Sequence, residues 1–245
     1  VSGAAPPRGA PANPVWLVRL GNFLFKMRNA LFPIVLVLLV ALTRPGAHLD
    51  SGFDNALDAL GFMVACAGQA LRIAVIGYRY IIRGGRDRKV YADGLVTAGC
   101  FALSRNPLYL GNLLILTGVF LIWNNPWVYI VGLPVFLLAY RAIVAAEEDY
   151  LGRQFGAAYA AYVRATPRWW PRLSGFREAT AGIPFNWRRV VIKEYTTTAL
   201  WLGGAILLLM IEARGPVWPH WLAIGLLAVA WGWARYLKKS RRLAE

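Results

Sequence analysis

An arginine, an asparagine and a proline stand together in Ser104-Arg105-Asn106-Pro107-Leu108-Tyr109, just before the chain turns apolar. A residue that precedes proline is biased away from helical backbone angles. Asparagine is favoured as a helix cap and proline at the first helical position. The order therefore predicts a helix starting at Pro107 and capped by Asn106. Its free N–H groups and partial positive charge, with Arg105 beside them, would suit a carboxylate or phosphate. The alternative is a capped helix whose arginine meets lipid headgroups. A second concentration of charge is Glu147-Glu148-Asp149, three acids in a basic region. Neighbours on a helix of 3.6 residues per turn point about 100° apart. Glu147 and Glu148 are thus expected to do different jobs, one binding Arg105 or a ligand's ammonium or hydroxyls, the other facing water. Pairing with Arg141 or Arg153 is the alternative.

These groups need elements to hold them, and the composition says which. The chain has 245 residues, 58% hydrophobic and 16% charged, with a mean hydropathy of +0.46. Soluble domains carry about 25% charged residues, so an integral membrane protein is expected. Apolar runs at 29–43, 57–82, 108–123, 127–146, 196–211 and 218–236 predict an all-α polytopic protein of about six transmembrane helices. Residues 15–28 read as an interfacial helix leading into the first run, and 1–14 as a disordered tail. Several runs are shorter than the ~20 residues that cross a bilayer. With the N-terminus in the cytosol, all but Arg44, Arg72 and Arg214 of the 27 basic residues fall in cytosolic segments or their helix ends. That asymmetry follows the positive-inside rule and places both termini in the cytosol. The net charge of +15 then reflects loops beside anionic lipid, with no nucleic-acid partner expected. Cys66, Cys100, His48 and His220 form no ligand pattern, so no metal is expected. Arg83-Gly84-Gly85-Arg86 lacks the strand and spacing of a dinucleotide loop. Leu151, Phe155, Ala158, Tyr159 and Tyr162 recur at helical spacing and predict that the fourth span continues as a helix out of the bilayer or along its surface. Trp127 and Trp218 read as interfacial anchors.

Several of these pieces together resemble the isoprenylcysteine carboxyl methyltransferase and phospholipid methyltransferase family. The lead is Leu95-Val96-Thr97-Ala98-Gly99-Cys100-Phe101, then Arg105-Asn106-Pro107-Leu108-Tyr109 with Gly111, then Glu147-Glu148, Phe155-Gly156, Tyr159 and Tyr162, closing with Arg168-Trp169-Trp170-Pro171. Gly68-Gln69-Ala70-Leu71-Arg72 resembles the family's preceding span. Two positions depart from the pattern: the motif histidine is Asn106 and the tyrosine of the lead is Phe101. Asparagine cannot relay a proton at neutral pH, so a positioning role survives there and a proton-transfer role does not.

The resemblance implies a methyltransferase that uses S-adenosylmethionine in a cytosolic helical pocket without a dinucleotide fold. The methyltransferase core is expected at 57–171, after a first span within 15–56, with a linker and two further spans in 172–245. Arg105 and Glu148 are the expected catalytic residues. Leu95, Gly99, Phe101, Arg105, Asn106, Pro107, Tyr109, Glu147, Glu148 and Tyr159 are expected around the cofactor, with Tyr109, Tyr159 and Trp169 as walls. Arg72 lies roughly 15 Å below the end of its run at 1.5 Å per residue, with Gln69 one turn away. An intramembrane arginine usually faces a cavity or a partner. Gln69 and Arg72 are therefore expected to line a path for a lipid or lipid-like substrate bearing an acidic group or phosphate. A structural pair bonding helix carbonyls, or contact of Arg72 with the cofactor region, is the alternative. Prenylated cysteine carboxylate, a phosphatidylethanolamine-type amine and a small thiol are all compatible acceptors. The Ala- and Arg-rich composition points to a bacterial inner membrane and so toward a membrane lipid. Two other functions stay open: a membrane reductase using NADPH, and a non-catalytic scaffold of the same fold.

Overall fold

The computed structural model describes residues 13–46, 51–79, 90, 92, 94–213 and 215–240. The expected tail up to residue 12, the end of the second run beyond residue 79, His48, the Arg83-Gly84-Gly85-Arg86 stretch, Arg214, Arg241 and Arg242 lie outside the described residues. Among those described, the chain is helical without strands: α1 (Val15–Leu42), α2 (Ser51–Tyr78), α3 (Cys100–Leu103), α4 (Pro107–Trp123), α5 (Leu133–Ala165), α6 (Phe176–Thr180), α7 (Trp187–Glu212) and α8 (Trp218–Lys239).

Each expected apolar run becomes a long helix. The interfacial stretch and the first span form one continuous helix, α1, which carries Pro33 without ending. A π-helical turn, Val128–Gly132, leads into α5. Four stretches are long and apolar enough to cross a membrane: Val15–Leu42, Gly52–Tyr78, Val128–Ala165 and Trp187–Glu212. Helix α4 is strongly apolar but has 17 residues, about 26 Å at 1.5 Å per residue against a hydrocarbon core of about 30 Å. In α8, Pro219, His220 and four tryptophans dilute the apolar content, and none of its residues is buried.

The long helices alternate in direction. At one end, Asn13 just before α1 meets Glu148 of α5, the Gly77 carbonyl accepts from the Asn186 N–H ahead of α7, and Lys238 of α8 lies over the Tyr195 ring. At the opposite end, the Trp123 indole donates to the Thr43 hydroxyl, Asn125 donates to the Arg44 carbonyl, and Asn124 donates to Asp54. The turn there is tight because Asn124 takes the left-handed conformation (φ 45°) that ends α4.

Small residues bring the helices close. Gly61 and Gly68 of α2 face Gly118 and Gly111 of α4, and a Cβ on Gly118 would sit 2.3 Å from the Gly61 carbonyl oxygen. Such a seam is how helices associate where lipid removes the hydrophobic drive between them. Leu17, Leu24 and Phe25 of α1 pack on Ala139, Ala142, Ile143 and Ala145 of α5. Helix α7 lies against α2 and α4, and α8 lies against α7.

Candidate active site

The site forms where the entry to α4 meets the exit from α5. The chain enters α3 through Gly99, whose φ of +63° favours glycine and whose N–H donates to the Ala179 carbonyl. After α3 it runs extended beside residues 167–172. Arg105 N–H donates to the Pro167 carbonyl at 2.9 Å, and Arg172 N–H donates to the Leu103 carbonyl at 3.2 Å. The Ser104 hydroxyl donates to the Trp169 carbonyl and the Asn106 amide to the Arg168 carbonyl, at 2.9 and 3.1 Å. These bonds stitch the Arg-Asn-Pro stretch to the Arg-Trp-Trp-Pro stretch. Asn106 does stand at the cap position and Pro107 at the start of α4, but the amide makes no capping bond because it serves Arg168 instead.

Charge concentrates on this seam. Arg105 Nη1 and Arg168 Nη2 grip opposite oxygens of Glu148, at 2.8 and 2.6 Å. Asn13 joins them: its amide nitrogen donates to Glu148 at 3.4 Å and its amide oxygen accepts from Arg168 at 3.0 Å. Two guanidinium groups share one carboxylate, leaving a positive surplus in a largely buried place. The Nε atoms of both Arg105 and Arg168 are buried without a hydrogen-bond partner among the described residues. Unpaired buried donors are costly, so the cluster is suited to receive an acceptor group.

Glu147 and Glu148 do point to different partners, but neither faces water: they are 2% and 8% exposed. Glu147 accepts from the Tyr109 hydroxyl at 2.6 Å, and Arg28 of α1 donates to that hydroxyl at 3.4 Å. Arg153 pairs with Asp149 rather than with either glutamate. Glu147 thus sits against a tyrosine hydroxyl that an arginine also approaches, next in sequence to Glu148.

The remaining expected residues lie around this cluster rather than in it. Leu95 and Tyr159 pack with Ala92, Leu151 and Tyr162. Phe101 is core, packed with Val75 and Cys100, and its carbonyl accepts from the Tyr162 hydroxyl at 2.7 Å. Burial pushes the Cys100 thiol up to about 11, so it stays protonated at neutral pH and is a poor nucleophile. Trp169 packs against the core formed by α4 and α5. Helix α5 does continue beyond the glutamates, but Gly156 (φ 47°) breaks its regularity. After the break Tyr159 and Tyr162 are buried as expected, while Ala158 is exposed and Ala160 is buried.

Gln69 and Arg72 sit in a second polar cluster between α2, α4 and α7. Helix α2 ends at Tyr78, so Arg72 lies about 9 Å from that end at 1.5 Å per residue. Arg72 Nε and Nη2 grip Glu194 of α7 at 2.8 and 2.6 Å, and Nη1 donates to Asn112 Oδ1. Gln69 donates to Glu194 at 3.0 Å and accepts from the Trp201 indole at 2.8 Å. Asn112 neighbours the Tyr140 side chain, whose ring is 5.5 Å from that of Tyr109. Polar and aromatic contacts therefore link the two clusters. Sequence reasoning missed Asn13 and Glu194. Each is a lone polar residue far from the motifs it joins; the only signal at Glu194 is a carboxylate entering an apolar run.

Comparison with known proteins bears on this arrangement. Residues 59–158 match the model of a phospholipid methyltransferase family. The chain is 30% identical over 171 residues to the cobalt-zinc-cadmium resistance protein CzcN of Cupriavidus metallidurans, covering 69% of this chain and 75% of that protein. It is 29% identical over 159 residues to the nickel-cobalt-cadmium resistance protein NccN of Alcaligenes xylosoxydans xylosoxydans, covering 64% and 71%. No solved structure matches the chain.

Proposed function

The chain belongs to the phospholipid methyltransferase family, and on that premise we propose that it is an integral-membrane methyltransferase. In this reading it uses S-adenosylmethionine and acts on a lipid or lipid-like acceptor drawn from the bilayer. The observation that carries the reading is the pair of largely buried arginines that share Glu148 and keep two buried N–H groups without acceptors among the described residues.

Arg105 and Arg168 would hold the carboxylate of the cofactor's amino-acid portion. Glu148 would keep the two guanidinium groups parallel and receive the ammonium. Glu147, held by Tyr109, would accept from hydroxyls. Leu95, Gly99, Phe101 and Tyr159 would support the adenine side, with Asn106 and Pro107 fixing the start of α4. When bound, the cofactor supplies a methyl carbon made electrophilic by its sulfonium. The work of the chain is then to align that carbon with a nucleophile and exclude water. An ionised carboxylate or thiolate acceptor needs no base, and a neutral amine needs none to attack, so Asn106 in place of histidine is no obstacle. Gln69 and Arg72 would border the acceptor's approach. The end of the bundle that holds the site would face the cytosol of a bacterial cell. The relatives are named for metal resistance; a shared role would be met by methylating a component of the membrane. Among the described residues no three His, Cys, Asp or Glu side chains gather as a metal site.

Calorimetric titration of the solubilised protein with S-adenosylhomocysteine and, separately, NADPH tests the reading. Binding of the former alone is expected. Arg105→Ala and Glu148→Gln should each weaken it by roughly ten- to a hundredfold, as expected for one charged hydrogen bond of about 1.5–3 kcal/mol. NADPH binding in its place would move the protein to the reductases. Unchanged affinity in both variants would remove the pocket from this seam.

A further inference from the structure

Arg72 reads from sequence as a cation waiting in the membrane, yet every nitrogen of its guanidinium has a protein acceptor. Nε and Nη2 are on Glu194 and Nη1 is on Asn112. Glu194 is 3% exposed and comes from α7, beyond the residues 59–158 that match the family. Helix α4 makes room for the pair: a Cβ on Gly111 would meet Arg72 Cγ at 2.6 Å. Three of the five Arg72 N–H groups are engaged. An anionic headgroup reaching the other two would lie beside the Glu194 carboxylate, whose like charge opposes it, and taking the place of Glu194 would leave a buried carboxylate unpaired, which is strongly unfavourable. The carboxylate itself is less crowded. Oε2 accepts from both Gln69 and Arg72, whereas among the described residues Oε1 accepts from Arg72 Nη2 alone and, as a carboxylate oxygen, has capacity for a further donor.

We propose that Glu194 is a specificity-determining residue of the acceptor path: it cancels the charge of Arg72 inside the membrane, so that the wall receives an uncharged or cationic donor-bearing group and turns away an anionic one. This rests on the reading of Gln69 and Arg72 as a border of the acceptor's approach. Helix α7, beyond the matched family residues, in this view belongs to the working unit and sets the sign of the charge its acceptor carries.

Lipid binding tests this without any methyl transfer. Wild type, Glu194→Gln and the double variant Arg72→Gln/Glu194→Gln are exchanged into detergent, incubated with didecanoyl phosphatidate, washed, and weighed by native mass spectrometry. Surface binding to the basic loops is common to all three. Wild type should retain no more phosphatidate than the double variant. Glu194→Gln should gain one tightly held molecule, lost again in the double variant. More phosphatidate on wild type than on the double variant would overturn the proposal, as would no gain in a folded Glu194→Gln. If Glu194→Gln does not fold, the comparison of wild type with the double variant still decides. Titration with S-adenosylhomocysteine reads the methyltransferase reading separately, so intact binding there with a failed lipid result would sink only the role of Glu194.

Discussion

The Asn13 side chain donates to Glu148 with one end of its amide and accepts from Arg168 with the other. An amino-acid zwitterion would make the same two contacts, with its ammonium and its carboxylate. If the seam binds the cofactor in this way, the amide must be displaced first. Asn13→Ala should then tighten S-adenosylhomocysteine binding by about three- to tenfold, the equivalent of hydrogen bonds worth about 0.5–1.5 kcal/mol net. Weaker binding in that variant would mean that Asn13 assists the ligand instead of competing with it. At this scale the sequence was legible where residues sit in ordered motifs. Contact of Arg105 with one of the two glutamates was expected, and Arg105 pairs with Glu148. The capping amide of Asn106 was misjudged because a carbonyl of Arg168, distant in sequence, offers a better acceptor. Glu147 was expected to differ from Glu148, but burial of both depended on Tyr109 and on two arginines at a distance, which spacing alone does not reveal.

Among the elements, the seam between α2 and α4 has the least room for change. A Cβ at Gly118 would meet two backbone atoms of α2, the Gly61 carbonyl oxygen at 2.3 Å and the Ala65 nitrogen at 2.6 Å. Gly118→Ala must therefore part the helices and should destabilise the protein by about 1–3 kcal/mol, seen as a lower midpoint of thermal unfolding in detergent. Gly225 of α8 has nothing within 4 Å of its would-be Cβ. Gly225→Ala should be neutral or slightly stabilising, since alanine is the better helix former. Equal behaviour of the two variants would show that the seam is not close-packed. The helices were readable from their apolar runs, because an apolar stretch bounded by charge or proline leaves little choice inside lipid. The apolar face of α5 was readable past Gly156 at Tyr159 and Tyr162, which are buried, but not at Ala158, which is exposed while Ala160 is buried beyond the non-helical Gly156.

For the molecule as a whole, alternating helices gather the candidate site, the start of α1 and the basic end of α8 at one end of the bundle. In the orientation proposed above, which the charge asymmetry favours, this end faces the cytosol. In a background with Cys66 and Cys100 replaced by alanine, cysteines can be placed at two exposed positions, Leu173 near the site and Trp218 at the start of α8. In spheroplasts a membrane-impermeant maleimide should label Trp218→Cys and spare Leu173→Cys until the membrane is broken. The reverse pattern would invert the orientation. The asymmetry was visible in the sequence because it is a sum over many residues. The contribution of α7 was not, because it enters through one carboxylate. Asn13 and Arg168 meet across 155 positions of chain. Their contact needs the start of α1 to meet the chain just after α5, and closing so long a loop is entropically slow to reward. A ligand held on that seam would bind only the assembled bundle and would stabilise it by mass action. Occupancy of the site would then double as a report that insertion of the chain has been completed in the right order.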